Sequence, residues 1–333
     1  MGQMDELTIL LLCIAGSVLA ITVVLEIFLI RFFRAHRVGQ KILEIGPNWH
    51  KEKEGTPFMG GLGFIFAGLL VMAIFFVIHA FKGDSARYVP LSLTLTFATA
   101  NGVIGFIDDY CKFRKKRNEG LTRNQKTVLQ FVIAAAYVCV MSYTGNMTTL
   151  VHIPFTSVSI NLGWLFYPIA IFVLYSVVNG TNLTDGVDGL AGSVTLVIGV
   201  FFVACGYAFS MEQIAILGAL LVGGCFGFLL FNFHPARIFM GDTGSLFLGA
   251  MVIGTAFQMQ EELVGVLISL VFLIELLSSF LQIFCYKMFN KMRLFRMAPL
   301  HHHFEKCGWN EYAIVFVFSL FEALFCILAW FAI

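Results

Sequence analysis

Long apolar stretches alternate with short polar ones along most of the chain. A helix that crosses a bilayer needs about 20 mostly apolar residues, and ten stretches meet that description. The predicted spans are 8–32, 57–80, 89–107, 127–145, 162–180, 190–210, 212–232, 241–258, 263–287 and 312–332. The apolar runs are continuous, whereas the strands of a transmembrane β-barrel alternate in hydrophobicity. The pattern therefore predicts an all-α polytopic integral membrane protein with about ten transmembrane helices.

The composition agrees with a lipid bilayer as the surroundings. Of the 333 residues, 59% are hydrophobic and 12% are charged, and the mean hydropathy is +0.87. A soluble domain has about 25% charged residues, so this chain lacks the polar surface to stay in water. The eight cysteines are scattered without a C-x-x-C pair, which argues against a disulfide framework or a zinc ribbon. With no strong internal repeat and no polar segment long enough for a second core, residues 1–333 form a single membrane domain.

Basic residues predict the orientation. Nineteen of the 21 lysines and arginines fall in four groups, which are 31–53, 112–126, Arg237 and 287–306. Ten spans place all four groups on one side, which the positive-inside rule makes cytoplasmic, so both termini are extracytoplasmic. The loop 179–190 then faces the cytoplasm as well. Glycosylation patterns begin at Asn179 and Asn182, and this orientation excludes their use.

Aspartates are concentrated at the predicted cytoplasmic ends of the spans. Only seven are present, and five lie in the three motifs GFIDDY, TNLTDGVDGLAG and FMGDTGS. These five are Asp108, Asp109, Asp185, Asp188 and Asp242. Acids that serve only solubility would scatter over both faces, whereas the ends of packed helices can bring junctional acids together. The sequence therefore predicts one convergent site on the cytoplasmic face.

The spacing of these acids restricts what each can do. Asp108 and Asp109 are adjacent, so on a helix they point about 100° apart and suit different partners. Asp185 and Asp188 share one face if a helix has already begun there. Asp242 stands at the start of the eighth span, where free N–H groups favour phosphate.

Several carboxylates in one cleft repel each other unless a cation lies among them. Hard oxygen ligands suit Mg²⁺ or Mn²⁺. Lys53 in KEGTPFMGG, Lys112 just after Asp109, and Lys126 are the candidate cations for phosphate oxygens. A metal held by acids, with lysines for phosphates, favours phosphoryl transfer over hydrolysis of a neutral bond.

Two further polar patterns leave alternatives open. The triple histidine 301–303 could bind zinc, but no second ligand pair has the right spacing, so hydrogen bonds from imidazole to phosphate are favoured. Glu275, Ser279 and Gln282 form a polar stripe on an apolar helix, which serves either interhelical packing or substrate contact. Gln282 is the most cytoplasmic of the three. Phe239 either packs or stacks on a base.

Five motifs together resemble a known family. They are KxGTPxMGG (53–61), GFIDDY (105–110), NGTNLTDGVDGLA (179–191), NFHPARIFMGDTGS (232–245) and PLHHHFE (299–305). In order and spacing the chain resembles the phospho-N-acetylmuramoyl-pentapeptide transferases, a branch of the polyprenyl-phosphate N-acetylhexosamine-1-phosphate transferase superfamily. The likeness covers essentially the whole chain, and PLHHHFE is similar to this branch in particular.

The resemblance implies a reaction and its setting. Undecaprenyl phosphate attacks the β-phosphate of UDP-N-acetylmuramoyl-pentapeptide and gives lipid I and UMP. The implied cofactor is Mg²⁺, held on the cytoplasmic face of the bacterial inner membrane. The implied assembly is a homodimer, and no nucleic-acid partner is expected.

The resemblance also implies residue roles. Asp242 is the expected metal ligand, and Asp108 is expected to deprotonate or orient the lipid phosphate. The implied catalytic residues are Asp108, Asp109, Asp242, His301, His302 and His303. The implied substrate-binding residues are Lys53, Lys112, Lys126, Asn182, Asp185, Asp188, Asn232, Phe239, Gly241 and Gln282.

Two other functions, a sister transferase and a transporter, share some of these sequence features. A sister transferase that uses UDP-N-acetylglucosamine would share the aspartate motifs, and PLHHHFE distinguishes the two. A transporter would hold its acids near the bilayer midplane, whereas these lie at one face. The transfer itself can be direct or can pass through a phosphorylated aspartate, Asp242 or Asp108.

Overall fold

The structure is a computed structural model that describes residues 2–36, 53, 55–115 and 120–333. Parts of two predicted basic groups, residues 37–52 and 116–119, lie outside the described residues, as does Glu54 of the first motif. The helices are α1 Gly2–Ala35, α2 Gly61–Lys82, α3 Val89–Lys115, α4 Arg123–Tyr143, α5 Phe166–Thr184, α6 Leu190–Ala208, α7 Glu212–Asn232, α8 Gly241–Gln258, α9 Glu262–Leu267, α10 Leu270–Met288, α11 Leu300–Lys306 and α12 Glu311–Trp330.

The prediction of an all-α multi-pass fold is confirmed, with three local differences. Among the described residues, nine helices are long and apolar enough to cross a membrane. The predicted span 241–258 forms α8, whose polar first turn sets it apart from those nine. The predicted span 263–287 is divided between α9 and α10. Two short strands, β1 Leu150–His152 and β2 Ser159–Asn161, pair antiparallel in the loop between α4 and α5.

The outer helices expose large apolar side chains. Phe172 on α5, Phe280 on α10 and Phe316 on α12 are each more than half exposed. A soluble monomer rarely carries contiguous apolar surface of this extent, so lipid is the medium that fits these faces. The chain is therefore a multi-pass membrane protein.

Helix α8 lies at the centre of the bundle. Every residue from Thr243 to Phe257 is buried. Three glycines let neighbouring helices pack close to it, since small residues favour close helix packing in membranes. The contacts are Gly244 with Gly61 of α2, Gly249 with Val178 of α5, and Gly254 with Phe97 of α3.

Helix α3 approaches α8 closely at Gly105. A Cβ atom added there would overlap the carbonyl oxygen of Asp242 and would lie 2.6 Å from the backbone nitrogen of Thr243. The backbone of α3 therefore touches the first turn of α8 directly. Because Asp108 and Asp109 follow one helical turn later, this contact places them beside Asp242.

Candidate active site

Three aspartates from two motifs meet where α3 and α8 touch. One carboxylate oxygen from each of Asp108, Asp109 and Asp242 lies within 4.8 Å of the others. Asp108 and Asp109 are buried, and Asp242 is partly exposed. The structure thus brings together the acids of GFIDDY and FMGDTGS, which are more than 130 positions apart in the chain.

Asp109 binds the first turn of α8. Its Oδ2 accepts hydrogen bonds from the backbone N–H of Thr243 at 2.9 Å and from the Thr243 hydroxyl at 2.7 Å. Its Oδ1 accepts the backbone N–H of Asp242 at 3.3 Å. The first N–H groups of a helix have no partner within the helix and favour negative charge. Asp109 therefore caps α8 from α3.

Asp108 has different partners. Its Oδ1 accepts the backbone N–H of Leu121 at 2.7 Å, in the loop before α4. Its Oδ2 lies 2.6 Å from the Lys112 ammonium, one turn further along α3. The sequence predicts separate partners for the two adjacent aspartates. The structure shows different N–H partners for them, although the Lys112 ammonium also lies 3.6 Å from Asp109 Oδ1.

The Asp242 carboxylate accepts hydrogen bonds from two lysines and one side-chain amide. Its Oδ2 accepts hydrogen bonds from Lys112 at 3.0 Å and from Lys126 at 2.9 Å. Its Oδ1 accepts the side-chain amide of Asn182 at 2.9 Å, and the same amide donates to Ser245 at 2.8 Å. Three of the predicted substrate-binding residues therefore surround the predicted metal ligand.

Asp185 and Asp188 lie in a turn rather than in a helix. Helix α5 ends at Thr184 and α6 begins at Leu190, so the condition for the two acids to share a helical face is not met. Among the described residues, the Asp185 carboxylate accepts no hydrogen bond. Burial, followed by repulsion from the carboxylates of Asp242, Asp109 and Asp188, raises the pKa of Asp185 well above its usual range.

We expect Asp185→Asn to raise the melting temperature of the protein by a few degrees at neutral pH. Folding raises the pKa of Asp185, so its ionisation destabilises the folded state. This effect is absent below the usual aspartate pKa of about 4 and grows as the pH rises toward the raised value. Thermal unfolding of both proteins across that range is the measurement. A variant no more stable than the wild type at neutral pH would contradict the expectation.

A second polar cluster surrounds Asp188. The Lys53 ammonium lies 2.7 Å from Asp188 Oδ1 and 2.7 Å from Glu311 Oε1. Asp188 Oδ2 accepts the backbone N–H of Ala236 at 3.0 Å and lies 3.1 Å from Nδ1 of His234. Lys53 and Asp188 are predicted site residues, whereas His234 and Glu311 are not. His234 belongs to the motif NFHPARIFMGDTGS. Nothing in the sequence marks Glu311 as a site residue, because it resembles an ordinary polar residue at the start of the last predicted span.

Two predicted substrate-binding amides hold backbone segments in place. Asn232 is buried, accepts the N–H of Gly189 at 3.0 Å and donates to the carbonyl oxygen of Ile238 at 2.9 Å. Gln282 donates to the carbonyl oxygen of Phe295 at 3.1 Å and accepts the N–H of the same residue at 2.9 Å. Asn232, the last residue of α7, and Gln282, within α10, thereby each connect a long helix to a loop.

Phe239 and Gly241 lie in the segment that leads into α8. Phe239 donates its N–H to Pro57 at 2.9 Å and accepts the N–H of Gly60 at 2.8 Å, so this segment runs beside the start of α2. Its side chain is partly exposed. Gly241 has φ +71°, in the left-handed region that favours glycine, and it turns the chain into the helix that carries Asp242.

The three adjacent histidines have different partners. These are Glu275 for His301, Glu305 for His302, and the backbone N–H of Arg296 for His303. His301 is buried, and the other two are partly buried. In the described part of the chain, the residue groups close enough to hold a metal include none of the three. The zinc alternative therefore gains no support.

Known proteins resemble the chain over almost its whole length. Residues 89–260 match the model of glycosyl transferase family 4. A protein of Acetivibrio thermocellus named phospho-N-acetylmuramoyl-pentapeptide-transferase is 41% identical over 318 residues, which are 94% of this chain and 92% of that protein. Proteins of the same name from Halalkalibacterium halodurans and Clostridium perfringens are 43% and 42% identical, covering 93% and 88% of both chains.

Proposed function

The chain belongs to glycosyl transferase family 4 and, within it, to the phospho-N-acetylmuramoyl-pentapeptide transferases, and from this premise we propose its reaction. It transfers phospho-N-acetylmuramoyl-pentapeptide from the UDP donor to undecaprenyl phosphate, giving lipid I and UMP. The observation that carries this proposal is the cluster of Asp108, Asp109 and Asp242 with two lysines at the meeting point of α3 and α8.

The cluster fits Mg²⁺. Its donors are carboxylate oxygens, the ligand type that Mg²⁺ prefers, and they are close enough together to share one ion. We assign Asp242 as the principal ligand and Asp108 as the second group facing the ion. Asp109 supports them, because its oxygens already bind the first turn of α8. Bound Mg²⁺ would neutralise charge on the donor pyrophosphate.

The side chains support direct transfer. An oxygen of the lipid phosphate forms a bond to the β-phosphorus of the donor, and the bond from that phosphorus to the bridging oxygen breaks, so UMP leaves with the bridging oxygen. Lys112 and Lys126, which lie beside Asp242, also hold the phosphate oxygens, while Asp108 orients the lipid phosphate. Both oxygens of Asp108 and both of Asp242 already have cationic or N–H partners, which disfavours either one as a covalent nucleophile.

The cluster around Asp188 suits the nucleotide end of the donor. Lys53 and His234 supply hydrogen-bond donors there, and we assign the partly exposed ring of Phe239 to stacking on the uracil. Asn182 and Asp185 lie between this cluster and the carboxylates, on the path of the pyrophosphate. Asn232 and Gln282 then act by fixing the loops rather than by contacting the donor.

We also propose the location and assembly of the enzyme. The site faces the cytoplasm of the bacterial inner membrane, both termini are extracytoplasmic, and the enzyme is a homodimer. The lysines at the carboxylate cluster support the orientation, because they lie at the same ends of the helices as the basic loops.

A release assay tests the reaction. Purified protein is incubated with polyprenyl phosphate and either UDP-N-acetylmuramoyl-pentapeptide or UDP-N-acetylglucosamine, and UMP is measured. We expect release with the first donor only, loss of release on adding EDTA, and recovery with excess Mg²⁺. Release from UDP-N-acetylglucosamine would favour the sister transferase instead. No release from either donor, together with solute flux in vesicles, would favour a transporter.

A further inference from the structure

A buried glutamate and a buried histidine form a pair beside the site. Glu275 on α10 and His301 on α11 both have 0% exposed surface. Glu275 Oε1 accepts the backbone N–H of His301 at 3.1 Å, and Oε2 lies 3.1 Å from the ring Nδ1 of the same residue. One carboxylate therefore fixes both the backbone and the ring of His301.

This pairing determines which nitrogen of the ring carries the proton. An ionised carboxylate only accepts hydrogen bonds, so the contact with Oε2 requires a proton on Nδ1. In the neutral ring, Nε2 then keeps its lone pair and accepts hydrogen bonds. This arrangement differs from the role predicted from the sequence, in which the imidazole donates to phosphate.

The free nitrogen points at the turn between Asp185 and Asp188. A Cβ atom added to Gly186 would overlap Nε2 of His301. Nε2 is buried and has no hydrogen-bond partner among the described residues. Buried polar atoms without a partner are uncommon, and such an atom beside a binding site indicates a missing ligand or water.

Burial in the helix bundle does not by itself explain why both carboxylate oxygens of Glu275 have partners. Two other glutamates in the spanning helices, Glu26 on α1 and Glu322 on α12, also have 0% exposed surface. In the described part of the chain, both oxygens of Glu26 and Oε2 of Glu322 lack a partner. Glu275, by contrast, directs both oxygens at a single residue that faces the site.

We propose that Glu275 is a positioning residue of the transferase. It holds His301 in the Nδ1–H form with Nε2 facing the Gly186 turn, where Nε2 accepts a hydrogen bond from a hydroxyl or amide group of the nucleotide–sugar donor. The inference rests on the proposed function, because it assigns the donor to this site.

Glu275→Gln tests the pair in the full-length protein. The glutamine amide can donate to Nδ1 and so moves the ring proton to Nε2. Such a tautomer error is damaging in hydrolytic triads, and loss of an orienting partner typically costs about 10–100-fold, so we expect kcat to fall by about 30-fold or more. The Michaelis constant for the donor should change much less. Glu322→Gln, at an equally buried glutamate whose side-chain partner is Cys326 rather than His301, is the matched control and should keep wild-type kcat.

Two measurements separate positioning from general stability. In the double variant Glu275→Gln/His301→Ala, the losses should not add, because Glu275 acts only through His301. Nitrogen-15 NMR of labelled histidine, with the His301 signal assigned by its loss in His301→Ala, should show Nδ1–H in the wild type and Nε2–H in Glu275→Gln. Glu275→Asp keeps a carboxylate and should keep the Nδ1–H signal.

The outcomes are distinct. Additive losses, wild-type kcat in Glu275→Gln, or an Nε2–H signal in the wild type would each overturn the inference. A wild-type protein that releases no UMP would instead overturn the proposed function, and the NMR signals of the pair would still be readable.

Discussion

Asp242→Asn should lower the rate of UMP release by at least about 10³-fold, because a charged group that faces the reacting phosphates contributes several kcal/mol to their stabilisation. The amide keeps the size of the carboxylate but removes the negative charge that now holds Lys112 and Lys126. The initial rate of UMP release by purified protein at saturating Mg²⁺ is the measurement.

The control for this variant is Asp84→Asn. Asp84 follows α2, at the opposite end of that helix from Gly61, which contacts α8, and it pairs with His79 at 2.9 Å. It should therefore keep wild-type activity and yield. Near-normal, Mg²⁺-dependent release by Asp242→Asn would show that the carboxylate cluster is not the reaction centre.

Gly105→Ala should abolish most activity through a single added methyl group. The new Cβ would overlap the carbonyl oxygen of Asp242, and neither backbone can move without separating α3 from α8. Overpacking of this kind costs about 1–3 kcal/mol or more, and displacing a reacting group by about 1 Å can cost 10²-fold in rate. We therefore expect a lower melting temperature together with UMP release reduced by about 100-fold.

Gly16→Ala is the matched control for this substitution. Gly16 also lies inside a long helix, α1, but a Cβ atom there would meet nothing within 4 Å. That variant should be as active and as stable as the wild type. If Gly105→Ala behaved in the same way, the close contact between α3 and α8 would not determine the geometry of the site.

The sequence predicts the spans well because hydropathy reports burial in lipid directly. Its errors have local physical causes. The predicted span 241–258 has the bounds of α8, but the sequence does not show that Asp242 and Thr243 in its polar first turn are bound by an aspartate of another helix. The break between α9 and α10, after Leu267, falls in an apolar stretch without proline. Gly265 lies inside α9, and Ser269 precedes α10 without making a capping hydrogen bond.

The sequence identifies candidate site residues better than it predicts the contacts between them. Asp108 and Asp242 stand out because acids are rare in this chain. The relation of Asp109 to α8 could not be predicted, since it depends on which helices touch. Glu275 and Glu311 were harder still to identify, because each reads as an ordinary polar residue of a span until its partner, His301 or Lys53, is located.

The cap that Asp109 places on α8 has a mechanical consequence. Three hydrogen bonds and a contact between two backbones fasten the end of α3 to the start of α8, so these ends move as one rigid body. Asp108 and Asp242 both belong to that rigid body. We therefore expect any sliding of helices to occur between this body and the helices that carry Lys126 and Asn182, with the spacing of the two acids preserved.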